Sequence, residues 1–100
     1  MDALLVTNPT VPLGQVVATR GVYALAGENP KFAEFMPRCL NRHAKGDWGD
    51  LDEADNQENE LSLEQGFRLL SSYESEGLPK IWIITEADRS STTILFPDEY

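Results

Sequence analysis

Three features of the sequence predict an α+β fold, with N-terminal helices packed on a C-terminal three-stranded antiparallel meander. Phe32, Phe35, Met36, Cys39 and Leu40 recur at helical spacing. The hydrophobic period shortens toward two from Phe67 onward. Turn-forming residues at Glu76-Gly77-Leu78-Pro79 and Ala87-Asp88-Arg89-Ser90-Ser91 then divide the last third into strands. The 100 residues hold enough material for one core, since a chain of this size buries roughly two thirds of its unfolded surface. The expected organisation is an irregular N-terminal arm at 1–14 followed by a single domain at 15–100.

The arm contains Pro9 and Pro12, which oppose a helix. Gln15 to Thr19 is a short β-prone run suited to an additional N-terminal edge strand. Thr19 can cap a brief helix through its hydroxyl, with Val22, Leu25 and Ala26 on one face and Gly27 as its stop. A second helix is capped by Asn29 and opened by Pro30, whose missing N–H costs nothing at the first helical position. Pro37 inside it predicts a kink or a break into two helices, and Gly46 marks the exit. Asp47-Trp48-Gly49-Asp50 reads as a tight connection. Asp52 and Asp55 suit the N-cap and third position of a helix that runs to Glu64 or Gln65 and ends at Gly66, its narrow apolar stripe formed by Leu51, Ala54, Leu61 and Leu63. The strands follow at Phe67–Tyr73, Lys80–Thr85 and Thr92–Phe96, with Pro97 ending the last. Lys80–Thr85 is apolar on both faces and belongs at the centre, where Trp82 would be core.

Eight Lys and Arg against seventeen Asp and Glu give a net charge of −9. Such a balance repels phosphate backbones, so direct nucleic-acid binding is not expected. Nearly all the excess lies between Gly46 and Phe67, in Asp47, Asp50, Asp52, Glu53, Asp55, Glu58, Glu60 and Glu64, with no Lys or Arg among them. This segment is either a solvated helix face with its preceding loop or an acidic surface for a basic protein partner. No apolar run approaches the ~20 residues that span a bilayer, and the first residues lack the basic leader of a secretory signal, so no membrane association and a cytoplasmic location are expected. Cys39 has no partner for a disulfide or a CxxC site and reads as a buried core thiol.

Three places could carry chemistry. His43, the only histidine, is either a general base or a helix-terminal cation. Trp48 is either a binding anchor in a polar loop or a cover for the core. The hairpin end at Glu86, Asp88 and Arg89 suits an oxyanion site centred on Arg89, or else a turn that satisfies its own backbone. If the protein is an enzyme, His43, Glu86, Arg89 and Thr92 are its catalytic candidates. If it is a binder, the candidates are Asp47, Trp48, Asp50, Asp52, Glu53, Asp55, Glu58, Tyr73, Asp88 and Arg89. Trp48 and Arg89 are expected to line one groove with His43 and Tyr73. Neither a metal site nor a cofactor is expected: a single histidine excludes multi-histidine zinc binding, no calcium loop fits, and P-loop, GxGxxG and GxSxG signatures are absent.

Arg42-His43-Ala44-Lys45-Gly46-Asp47-Trp48-Gly49-Asp50, Asn59, Ser71-Ser72-Tyr73, Trp82 to Arg89 and Thr92 to Tyr100 together resemble a family of short bacterial, phage and plasmid proteins known as plasmid-related, some labelled as a type I restriction modification subunit. A methyltransferase needs a far longer chain, so that label fits genomic neighbourhood better than activity. The resemblance implies a mobile genetic element. Joined to the acidic segment, it leads to the expectation of an interaction protein that inhibits a host nucleic-acid-targeting defence enzyme through a basic surface. The order of elements is also similar to barnase- and RelE-like ribonucleases, which makes a small ribonuclease using His43 and Arg89 the alternative.

Overall fold

The computed structural model describes residues 10–100, and the remainder of the expected arm, residues 1–9, lies outside the described residues. The chain runs β1 (Gln15–Ala18), α1 (Arg20–Glu28), α2 (Pro30–Ala44), α3 (Glu53–Gln65), β2 (Leu69–Ser75), β3 (Leu78–Thr85) and β4 (Ser91–Leu95), and closes with a 3₁₀ turn at Pro97–Glu99. β2, β3 and β4 form the antiparallel meander. The complete sheet is larger than three antiparallel strands, however, because β1 adds to β4 in parallel and gives a four-stranded mixed sheet in the order β1-β4-β3-β2. Parallel pairing requires a long crossover, and here the segment from α1 to β3 supplies it.

Alternation sets the two sheet faces. Tyr73, Ile81, Ile83 and Ile94 point toward α1 and α2 and pack with Val22, Phe32, Cys39 and Leu40 in the main core. Each such large apolar side chain contributes about 1.5–3 kcal/mol on burial. Trp82 belongs to the opposite face and is only half-buried, its ring set edge-on to Tyr100 at 5.8 Å. A smaller cluster of Val11, Trp48 and Leu69 lies under the loops, with Leu13, Leu51 and Leu63 packed against it. Val11 is anchored because its amide and that of Thr10 both donate to the Ala44 carbonyl at the end of α2.

Several local expectations change. Thr19 makes no side-chain cap on α1. Its hydroxyl instead bonds Glu99, whose other carboxylate oxygen accepts from the Gly21 amide at 2.9 Å, so the C-terminal turn caps α1 from outside. α1 also continues through Gly27 to Glu28, and Asn29 both ends it and caps α2 by accepting from Lys31 and Phe32. α2 does not break at Pro37. The proline forfeits one bond to Ala33, while the Asn41 side chain donates to the Pro37 carbonyl. In the hairpin between β2 and β3, Glu76 and Gly77 alone form the turn, and Leu78 and Pro79 already belong to β3.

Candidate functional site

The Asp47–Asp50 loop closes the outer edge of β2. Gly49 bridges Ser72 in parallel; the Asp50 amide donates to the Ser72 carbonyl at 2.7 Å, and the Ser72 amide donates to the Trp48 carbonyl. Further along the edge, the Asp50 carboxylate accepts from the Glu74 amide at 2.8 Å. On the other side, the Asn59 side chain of α3 takes the Leu70 amide and gives a bond to the Leu70 carbonyl at 2.6 Å. Every outward backbone group from Leu70 to Ser72, and the next outward amide, is thereby paired, which removes the template for adventitious strand addition. Gly49 has a φ of +78°, and a Cβ there would lie 2.0 Å from the Ser72 oxygen. The loop can approach the strand because that residue has no side chain.

The expected binding residues of this loop are therefore occupied. Trp48 is buried, its indole N–H donating to Glu60 at 2.6 Å and its ring edge-on to His43 at 5.6 Å. The Asp47 carboxylate pairs with Arg42 and accepts from the Gly49 amide, and the Arg42 bond holds its pKa below the usual carboxylate range. Tyr73 is fully buried and donates to the Asp47 carbonyl at 2.7 Å; burial raises its pKa. The cation against this aromatic cluster is Arg42, not Arg89: its guanidinium lies 4.9 Å from the centre of the Tyr73 ring.

His43 is fully buried on α2 and has both ring nitrogens engaged: Nδ1 with Ser71 at 2.6 Å and Nε2 with Thr85 at 2.8 Å. Thr85 bonds Thr92 at 2.8 Å, and the Thr92 hydroxyl donates to the Leu13 carbonyl at 2.7 Å. Because a carbonyl only accepts, hydrogen bookkeeping fixes three of these bonds: Thr92 donates to Leu13, Thr85 to Thr92, and His43 Nε2–H to Thr85. Burial, aided by the positive charge of Arg89, lowers the pKa of the ring to about 4 and so favours the neutral imidazole. In that form Nδ1 accepts from Ser71. A general base must reach its substrate directly or through one water; this ring, like Thr92 beside it, faces the core. His43, Trp48 and Tyr73 consequently line no open groove with Arg89.

Arg89 occupies the left-handed region at φ +60°, the one non-glycine residue to do so among the described residues. Its guanidinium donates to the carbonyls of Phe67 at 2.8 Å, Glu86 at 3.0 Å and Ser62 at 3.3 Å. Through Nη1 and Nη2 it ties the β3–β4 turn to the end of α3. Asp88 accepts from the Ser90 amide, with its pKa lowered by Ser90, and the Glu86 amide donates to Ser91. Of the two readings of this hairpin end, the geometry is that of a self-satisfied turn. Cys39 is buried, and burial pushes its thiol up to about 12, which makes it unreactive.

What stays open is α3. Asp52 caps it by accepting from the Asp55 amide at 2.9 Å, and Gly66 ends it. Its inward residues are Asn59 and Ser62, not the expected apolar stripe: Ala54 is exposed and Leu61 is 53% exposed, while Leu51 and Leu63 are half-buried. Outward stand Glu53, Asp55, Glu58, Glu60 and Glu64. The ion pairs among the described residues are Arg42–Asp47 and Lys80–Glu74, so no acid of α3 is paired there. A groove of about 260 Å³ runs between α3 and β2, lined by Leu51, Asp55, Glu58, Asn59, Ser62, Arg68 and Leu70. Of these, Asp55 and Glu58 were legible as binding candidates. Asn59 and Ser62 carried one readable signal, since both are poor helix formers in mid-helix and such residues often bond elsewhere. Among the described residues no group of His, Cys, Asp and Glu side chains is arranged to hold a metal, and no helix is long and apolar enough to cross a membrane. No protein-family model, curated protein or solved structure matches the chain.

Proposed function

We propose that this chain is a non-catalytic interaction protein that docks a basic protein surface onto α3. The observation that carries this reading is the row of exposed carboxylates, none of them in an ion pair among the described residues, on a helix whose other face is occupied in sealing the sheet edge. Asp55 and Glu58 line the α3–β2 groove with Leu51 and Leu70, and Arg68, which also lines it, has its guanidinium on Tyr100. Such a groove suits one lysine or arginine, with its aliphatic stem below and its charged head at the carboxylates. A defence enzyme that grips nucleic acid presents a surface of this kind, and the mobile-element resemblance supplies the biological setting for blocking it. The acidic residues would then compete for the cations that otherwise hold phosphates.

The test is affinity capture from a bacterial lysate with the wild-type chain and with an E53K/D55K/E58K variant. Asp50 stays unchanged because its carboxylate holds the Glu74 amide. Wild type should retain a nucleic-acid-binding protein at low salt, lose it at high salt and release it to added double-stranded DNA, and the variant should retain none. Equal capture by both forms, or capture insensitive to salt, would overturn the proposal.

A further inference from the structure

The two edges of the sheet are finished in opposite ways. β2 has its outer backbone groups paired by Trp48, Asp50 and Asn59. β1, at the other edge, receives no such cover from the described residues. The Gln15 and Thr19 amides donate inward to Ser90 and Ile94 of the β4 side, so the period of two turns the N–H and C=O groups of Val16 and Ala18 outward. No backbone or side-chain group among the described residues bonds them. Val17 is 39% exposed, Ala18 is exposed, and Tyr23, in the first turn of α1, is 77% exposed.

We infer that the β1 edge is a self-association surface, pairing antiparallel with β1 of a second copy to join two sheets into one of eight strands. The geometry is self-complementary. With the two-fold axis at Val17, Val16 and Ala18 of one copy face Ala18 and Val16 of the other, which closes four backbone hydrogen bonds and sets the two Val17 side chains against each other. The axis is perpendicular to the sheet, so both α1 helices lie on the same face, one on each side of it.

Charge selects a second copy over an acidic or strongly basic strand. A molecule of net charge −9 meets itself best where acids are few: from Thr10 to Gly27 the sequence has no Asp or Glu and a single charged residue, Arg20, and the Glu99 carboxylate that reaches this stretch is engaged by Thr19 and Gly21. The acidic helix α3 instead packs against β2, at the far edge. In the joined sheet the two β2 strands are seven strand spacings apart, or roughly 34 Å. That is about four Debye lengths at physiological ionic strength, so the two acidic helices scarcely repel each other. The paired segment is short, so the dimer is a concentration-dependent one.

Sedimentation velocity over a concentration series tests this. Wild type should shift from monomer toward twice the monomer mass as concentration rises, and the shift should grow as salt rises from low to physiological concentration, the opposite of the salt response of partner capture by α3. Val16→Pro removes an outward N–H and no bond to β4, and should stay monomeric with unchanged far-UV circular dichroism. Val17→Lys, which places like charges on the axis, should be monomeric too and decides the matter if the proline variant misfolds. Amide exchange at Ala18 should slow with concentration in wild type alone. A wild type that remains monomeric throughout, or variants that dimerise as wild type does, would overturn the inference.

Discussion

His43 shows how one buried polar residue constrains the chemistry around it. Four side chains and one carbonyl form a relay with a single consistent direction, ending on Leu13. Such a network stabilises only while every member is satisfied. Protonating His43 would give Nδ1 a hydrogen where Ser71 already donates. The consequence for stability has a definite sign. An unfolded imidazole titrates near 6.5, whereas the folded one titrates at about 4. Between these values the unfolded chain binds the extra proton, so the stabilisation is complete above the unfolded pKa and is lost as pH falls toward the folded one. By pH 5 the loss should be about 2 kcal/mol. Urea denaturation at several pH values above the carboxylate range checks this. His43→Gln should be less stable at neutral pH and should flatten the profile; an unchanged slope in that variant would place the titrating group elsewhere.

At the scale of elements, the Asp47–Asp50 loop and α3 act as one seal on β2. The seal depends on Gly49, because a side chain there would collide with the Ser72 carbonyl and the residue would keep a positive φ. Gly49→Ala should therefore cost about 2–3 kcal/mol. It should also release a strand edge, so thioflavin-positive aggregation at partial denaturation should rise along with the fall in stability. Stability lost without added aggregation would mean that Asn59 alone protects the edge. The elements themselves were legible because their signals are local: Asn29 with Pro30, Asp52 with Asp55, Gly66, and the change of period at Phe67. Long-range pairings were not. The parallel union of β1 with β4 and the capping of α1 by Glu99 join residues more than 70 positions apart, which no local periodicity encodes. The same limit applied to the site. Asp47, Trp48, Asp50 and Arg89 stood out as polar or aromatic residues in loops, yet the Asp50 and Arg89 side chains are taken by backbone groups of distant segments, the Trp48 indole by Glu60, and Asp47 by Arg42 and the Gly49 amide.

For the whole molecule, charge is distributed against the preferences of its own helix. Asp55 with Glu58 and Glu60 with Glu64 are like-charge neighbours at three and four residues, each pair opposing helix formation by roughly 0.2–0.5 kcal/mol. Glu64 also stands in the last turn of α3, which lacks any basic residue, where the macrodipole favours a cation. A surface arranged only for solubility has no need of this concentration; a surface arranged to meet cations does. Screening should therefore stabilise the free protein. Raising sodium chloride from low to physiological concentration should lift the melting temperature by several degrees, since about 1 kcal/mol corresponds to about 4–8 °C in a domain of this size. Glu64→Lys should raise the low-salt melting temperature by itself, adding about 0.5–1 kcal/mol, and should reduce the further gain from salt. Differential scanning calorimetry of both forms across a salt series measures each effect. A melting temperature that is flat or falling with salt in wild type would show that the acidic face is already neutralised within the fold, and would leave α3 without the uncompensated charge on which docking of a basic partner depends.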